Sequence, residues 1–139
     1  MATAINRGTV AAAVIAEPFV TQSIDSIRLI GDPMAAIAKN YLLCGMASTH
    51  AWIAANRDLA KRLTKTYGAA ATWANAHPAD TAKTLAAYSN IPLPTVLAMR
   101  RATFTATLSP LQIQPALDMA CKYGQLQKPL RAQDMIIPL

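Results

Sequence analysis

The sequence predicts a helix-rich α/β fold with two or three short strands, the closing portion of a larger architecture. Three observations predict it. Short apolar runs bounded by turn residues fall early, at 10–15, 27–30 and 41–47. Helical stripes, with caps and prolines at their starts, dominate from residue 49 onward. Two or three short strands do not make a parallel sheet by themselves, because such sheets need crossover helices and cover on both faces.

The elements follow in order. Residues 2–7 read as a helical turn or two, stopped by Gly8. The first strand spans 10–15, and Pro18 suits the first turn of a new helix, which places Glu17 at a strand-to-helix junction. Residues 23–25 turn, 27–30 form the second strand, and Gly31-Asp32-Pro33 ends it. The third strand, 41–47, centres on Leu42, Leu43 and Met46. Thr49 caps a short helix over 50–55, and Asn56 caps a longer one with Leu59, Leu63, Tyr67, Ala70 and Ala74 facing inward. Gly68 weakens that helix, and His77-Pro78 ends it. A helix over 79–88 turns Ala82, Leu85 and Ala86 inward, and Pro94 starts a short one through Met99. Ser109 as cap and Pro110 at the first position begin the last long helix, whose first turns Pro115 bends or frays and which Gly124 ends. Residues 129–139 pack as an irregular strap.

At 139 residues the chain has the length of one compact unit. It is 53% hydrophobic and 14% charged, with a mean hydropathy of +0.24, and much of the apolar excess is alanine. Such a balance excludes a disordered chain. It predicts either close packing through small residues or apolar surface meant for something outside the chain. No apolar stretch reaches the ~20 residues a bilayer span requires. The N-terminus does not read as a signal peptide.

The net charge of +6 invites a nucleic-acid reading. The basic residues are dispersed, however, and the densest cluster, 57–65, reads as a solvated helix face, so no nucleic-acid partner is expected. Cys44 and Cys121 make no zinc site, and buried free thiols are favoured over a disulfide between them, which stays open. One glutamate, two histidines without a nucleophile at a recognisable spacing and no glycine-rich phosphate loop give no support to catalysis. No cofactor or metal is expected.

Glu17 is the only glutamate and follows an apolar run, where a carboxylate needs a partner or a task. Contact with a ligand and a structural role, capping the helix at Pro18 or pairing with an arginine, both fit. Ser48, Thr49 and His50 follow the third strand and offer hydroxyls and backbone N–H groups to an anion; a plain helix cap fits as well. Trp52 and Trp73 read as core residues, with Trp52 and Tyr41 also candidates for a cleft wall.

Three passages carry a resemblance to a known family. Residues 4–19, with Gly8, the apolar run and Glu17-Pro18-Phe19, resemble a passage of the solute-binding proteins of ABC importers. The branch is the nitrate, sulfonate and taurine class, which includes binders of thiamine-pyrimidine precursors. Asn56-Arg57-Asp58-Leu59, followed by Trp73, Asn75 and His77-Pro78, is similar to a helix pair of that family, and 120–129 to its C-terminal helix and tail. Arg57 stands where the family usually has proline, and Ala12 where aspartate is common.

The resemblance covers nearly the whole chain and the second half of the family's usual length. It implies a type II periplasmic-binding fold in part: 1–31 as the remainder of a second lobe, 32–49 crossing between lobes, and 50–139 as the helical end of the first lobe. It further implies a non-catalytic protein of the periplasm, free or lipid-anchored, whose closed form meets a membrane permease. A small anion or aromatic acid would lie between the lobes, with Glu17, Pro18, Tyr41, Ser48, Thr49 and Trp52 the candidates to line its site. Two other readings remain: an enzyme resembling thiamine-pyrimidine-precursor synthases, and a small helical domain that self-associates through apolar surface.

Overall fold

Alanine-rich stripes interrupted by prolines favour helices with firm starts, and helix is the only regular structure that forms. The computed structural model describes residues 1–139. In order, its elements are α1 (Ala2–Asn6), α2 (Phe19–Ser23), a 3-10 turn (Pro33–Ala36), α3 (His50–Ala55), α4 (Arg57–Ala76), α5 (Pro78–Ser89), α6 (Leu93–Ala98), α7 (Pro110–Lys122) and α8 (Ala132–Met135). Pro78, Pro94 and Pro110 each sit in the first two positions of their helices, where a missing N–H costs nothing. Gly8 and Gly124, just past α1 and α7, adopt φ of +69° and +73°, the left-handed region that glycine enters without strain.

The three expected strands do not form, so the fold is helix-rich and the α/β expectation is corrected to that extent. The reason is the absence of ladder partners. Backbone N–H groups over 11–16 and 28–31 donate to no group of the chain, and 41–47 makes a single bond, Leu42 N–H to the Gln112 carbonyl at 2.8 Å. Val14, Ile30, Leu43 and Met46, on these segments, are all exposed.

The chain divides into two units, each discontinuous in sequence: Met1–Gly31 with Thr72–Phe104, and Asp32–Ala71 with Thr105–Leu139. In the first, α6 packs against α5 and α2. Ala82 of α5 and Val96 of α6 are fully buried there, and Leu85 and Ala86 half-buried, as the α5 stripe predicts. In the second, α8 packs against α7 with Ala132 fully buried, so the tail holds a helix where a strap was expected. A glutamine makes that docking specific. Gln114 Nε2 donates to Asp118 Oδ1 (2.7 Å) and to the Leu130 carbonyl (3.0 Å), while its Oε1 accepts from Ala132 N–H (2.8 Å).

Other local expectations change for identifiable reasons. Leu59, Leu63 and Tyr67 are exposed, and the buried residue of α4 is Ala60. Trp52 and Trp73 are exposed as well. Asn56 both closes α3 and opens α4: its Nδ2 donates to the Trp52 carbonyl at 2.9 Å, while its own carbonyl accepts from Ala60 N–H at 2.9 Å in the first turn of α4. Ser109 occupies the cap position of α7 without a side-chain cap bond. Cys44 and Cys121 are free thiols, and Cys44 is exposed where burial was expected.

Four residues are buried: Ala60, Ala82, Val96 and Ala132. The chain exposes 10750 Å², against about 7000 Å² for a compact monomer of this mass. Much of its apolar surface is uncovered.

One glycine is expected to be improvable. A Cβ on Gly68, inside α4, would meet Ala106 Cβ at 3.5 Å, ordinary van der Waals contact. Gly68→Ala should raise stability by about 0.5–1 kcal/mol through helix propensity, measurable as a higher denaturant midpoint at unchanged slope.

The start of α8 carries the clearest pH response. Arg131 Nε and Nη2 donate to Asp134 Oδ2 and Oδ1, both at 2.8 Å. The hydrogen bonds from Arg131 hold the Asp134 carboxyl below the usual carboxylate range and raise the Arg131 guanidinium. A lowered carboxyl stabilises the folded form above its unfolded value and loses that effect as pH falls through the folded one. Acid titration followed at the Ala132 amide by NMR should show α8 loosening below the usual carboxylate range, and Asp134→Asn should abolish that step.

Candidate binding site

Glu17 owes its position to the turn that precedes α2. Its Oε2 accepts from Thr21 N–H (3.0 Å), inside the first turn of α2, and its Oε1 accepts from Arg100 N–H (3.2 Å), just beyond α6. A half-buried carboxylate thus satisfies one open donor at a helix start and one after a helix end, and ties the two elements together. Its partners are backbone donors. Pro18, after a cis peptide bond, is the residue preceding α2.

The remaining sequence candidates lie in the second unit. Thr49 Oγ1 caps α3 by accepting from Trp52 N–H at 3.2 Å, and Ser48 and His50 beside it are exposed. Tyr41 is half-buried, and Trp52 exposes 39% of its surface. Thr49 and Trp52 are brought together by the cap.

A cluster that sequence reading missed lies in the first unit, where the end of α4 meets α5 and the segment 101–104. Asn75 and Phe104 exchange two hydrogen bonds: Asn75 Nδ2 donates to the Phe104 carbonyl (2.7 Å), and Phe104 N–H donates to Asn75 Oδ1 (3.0 Å). The asparagine side chain acts as a strand neighbour would, fixing the backbone at Phe104. Arg101, half-buried, donates from Nη1 to the Pro78 carbonyl (2.8 Å) and from Nη2 to Thr81 Oγ1 (2.9 Å), locking the same segment to the first turn of α5.

Two open cavities flank this segment and share Ala74, Arg101 and Phe104. One, about 190 Å³, adds Asn75, Pro78 and Thr103. The other, about 280 Å³, adds Trp73, Leu85 and Tyr88 and is mainly apolar. Trp73 is held by a stack on His77, with ring centres 4.6 Å apart, and His77 Nδ1 donates to the Trp73 carbonyl at 2.8 Å. His77, expected as a plain helix end, thus also braces an aromatic wall. The sequence signal for this cluster was the Arg100-Arg101 doublet three residues before Phe104, a cue too common to stand alone.

Comparison with protein-family models, curated proteins and solved structures finds no match to this chain.

Proposed function

We propose that the chain is part of a non-catalytic solute-binding component of an ABC-type importer of the nitrate, sulfonate and taurine class. It would act in the periplasm, free or lipid-anchored, binding a small anion or aromatic acid between two lobes and meeting a membrane permease when closed. The observation that carries this reading is the state of 10–15, 27–30 and 41–47. These runs fall in the order expected of the family's strands, form no helix, expose apolar side chains and leave most backbone N–H groups unpaired. Strands deprived of their sheet neighbours have these properties.

In this reading further polypeptide supplies the neighbours, and ligand that touches both lobes shifts the population toward closure. Glu17 orders the lobe wall in this scheme through its two backbone bonds. The natural gene product should show a saturable thermal shift with at least one of nitrate, taurine, an alkanesulfonate or an aromatic acid. No shift with any of them overturns the ligand assignment.

A second reading, a helical self-associating domain, is favoured by the uncovered apolar surface alone. It requires a stable dimer by light scattering with helix as the only regular structure by circular dichroism. Strand content in the natural gene product sinks it.

A further inference from the structure

We propose that the Arg101 groove of the first unit is a binding site for a single-ring aromatic carboxylate, separate from any cleft between lobes. The inference goes beyond the importer reading and does not need it, because every residue involved lies within one unit.

The charge comes first. Arg101 is a half-buried cation whose hydrogen bonds go to neutral acceptors, the Pro78 carbonyl and Thr81 Oγ1. No carboxylate of the chain pairs with it, in contrast to Arg131, which Asp134 neutralises. A guanidinium has more N–H donors than these two bonds employ, in a planar fork that matches a carboxylate. The two existing bonds fix the fork, so little side-chain freedom remains to be lost when an anion docks. The net charge of +6 favours the approach of an anion.

The walls supply the second element. Trp73, Leu85, Tyr88 and Phe104 line the larger cavity with Arg101. Aromatic rings at the wall favour an aromatic guest through offset or edge-to-face contacts. The volume of about 280 Å³ lies at the small end of ligand pockets, which begin near ~300 Å³. That space suits one ring and its carboxylate. The stack of Trp73 on His77 and the Asn75–Phe104 pair hold two of the walls before any ligand arrives.

The test uses the fluorescence of Trp73 in the full chain. The chain has two tryptophans, so Trp52→Phe leaves Trp73 as the sole reporter, at the groove wall. Titration with benzoate should quench it saturably. Benzyl alcohol, a neutral analogue of the same ring, should bind at least about tenfold more weakly, the loss of a charge-assisted pair. Arg101→Gln should weaken benzoate by a similar factor. Tyr88 exposes 89% of its surface, so Tyr88→Ala leaves the packing intact and should weaken benzoate about threefold to tenfold. This variant keeps the test decisive if Arg101→Gln fails to fold. Absence of saturable quenching, equal affinity for benzyl alcohol, or unchanged benzoate affinity in Tyr88→Ala or in folded Arg101→Gln overturns the proposal. A sulfonate- or nitrate-induced thermal shift that persists in Arg101→Gln reports on the cleft reading, so the two fail separately.

Discussion

Val96→Asp is expected to unfold the first unit. Val96 is the only large side chain in the chain that is fully buried, at the contact of α6 with α5 and α2. A carboxylate there would be desolvated without a partner, a penalty of several kcal/mol, against a native stability of about 5–15 kcal/mol for a whole domain. Val96→Ala removes apolar volume without adding charge and should cost about 2 kcal/mol through lost transfer energy and residual cavity. Circular dichroism should show loss of helix in the aspartate variant and a lowered denaturant midpoint in the alanine variant. Equal midpoints for alanine and wild type would show that the α5–α6 contact does not limit stability.

Glu17→Ala should have the second-largest effect. It leaves Thr21 N–H and Arg100 N–H without their acceptors and loosens α2 from the end of α6. Bonds to a charged group contribute about 1.5–3 kcal/mol each. Partial exposure of Glu17 discounts that, and a total of about 2–3 kcal/mol is expected. Glu17→Gln keeps one acceptor oxygen and should recover about half of the loss. Amide hydrogen exchange provides the local readout: in Glu17→Ala, protection should fall at Thr21 and Arg100 before it falls in α7. Uniform loss everywhere would mean that the carboxylate supports the chain globally instead of joining two elements.

The helices were legible because their signals are local. Thr49 caps α3 through its own neighbour Trp52, Pro110 opens α7, and Gly124 closes α7 with a backbone angle that depends on glycine alone. The α5 stripe at Ala82, Leu85 and Ala86 was legible for the same reason. Strands are not local objects. The apolar runs at 10–15 and 27–30 have strand composition, but a ladder needs a second edge at hydrogen-bond distance, and none of this chain's segments supplies one. The α4 stripe misled for a related reason: periodicity reports which face is apolar, not whether anything covers it.

Glu17 was legible as a residue that needs a partner, and its bond to the start of α2 follows from its place before Pro18. Its second bond joins residues 83 apart in sequence, and the Asn75–Phe104 pair joins residues 29 apart. Neither pairing has a signature in spacing. The Arg101 groove was invisible for the same reason, since it exists only once α5 and the segment 101–104 are side by side.

The Gln114 clamp has a consequence for the order of synthesis. Its acceptor at Leu130 and its donor at Ala132 lie 16 and 18 residues further along the sequence, and the buried Ala132 completes the face of α7. A nascent chain translated only as far as the end of α7 still lacks the residues that close the second unit. The first unit, whose final residue is Phe104, has all of its parts earlier. Closure of the second unit therefore follows that of α7, with residues 130–132 serving as its latch.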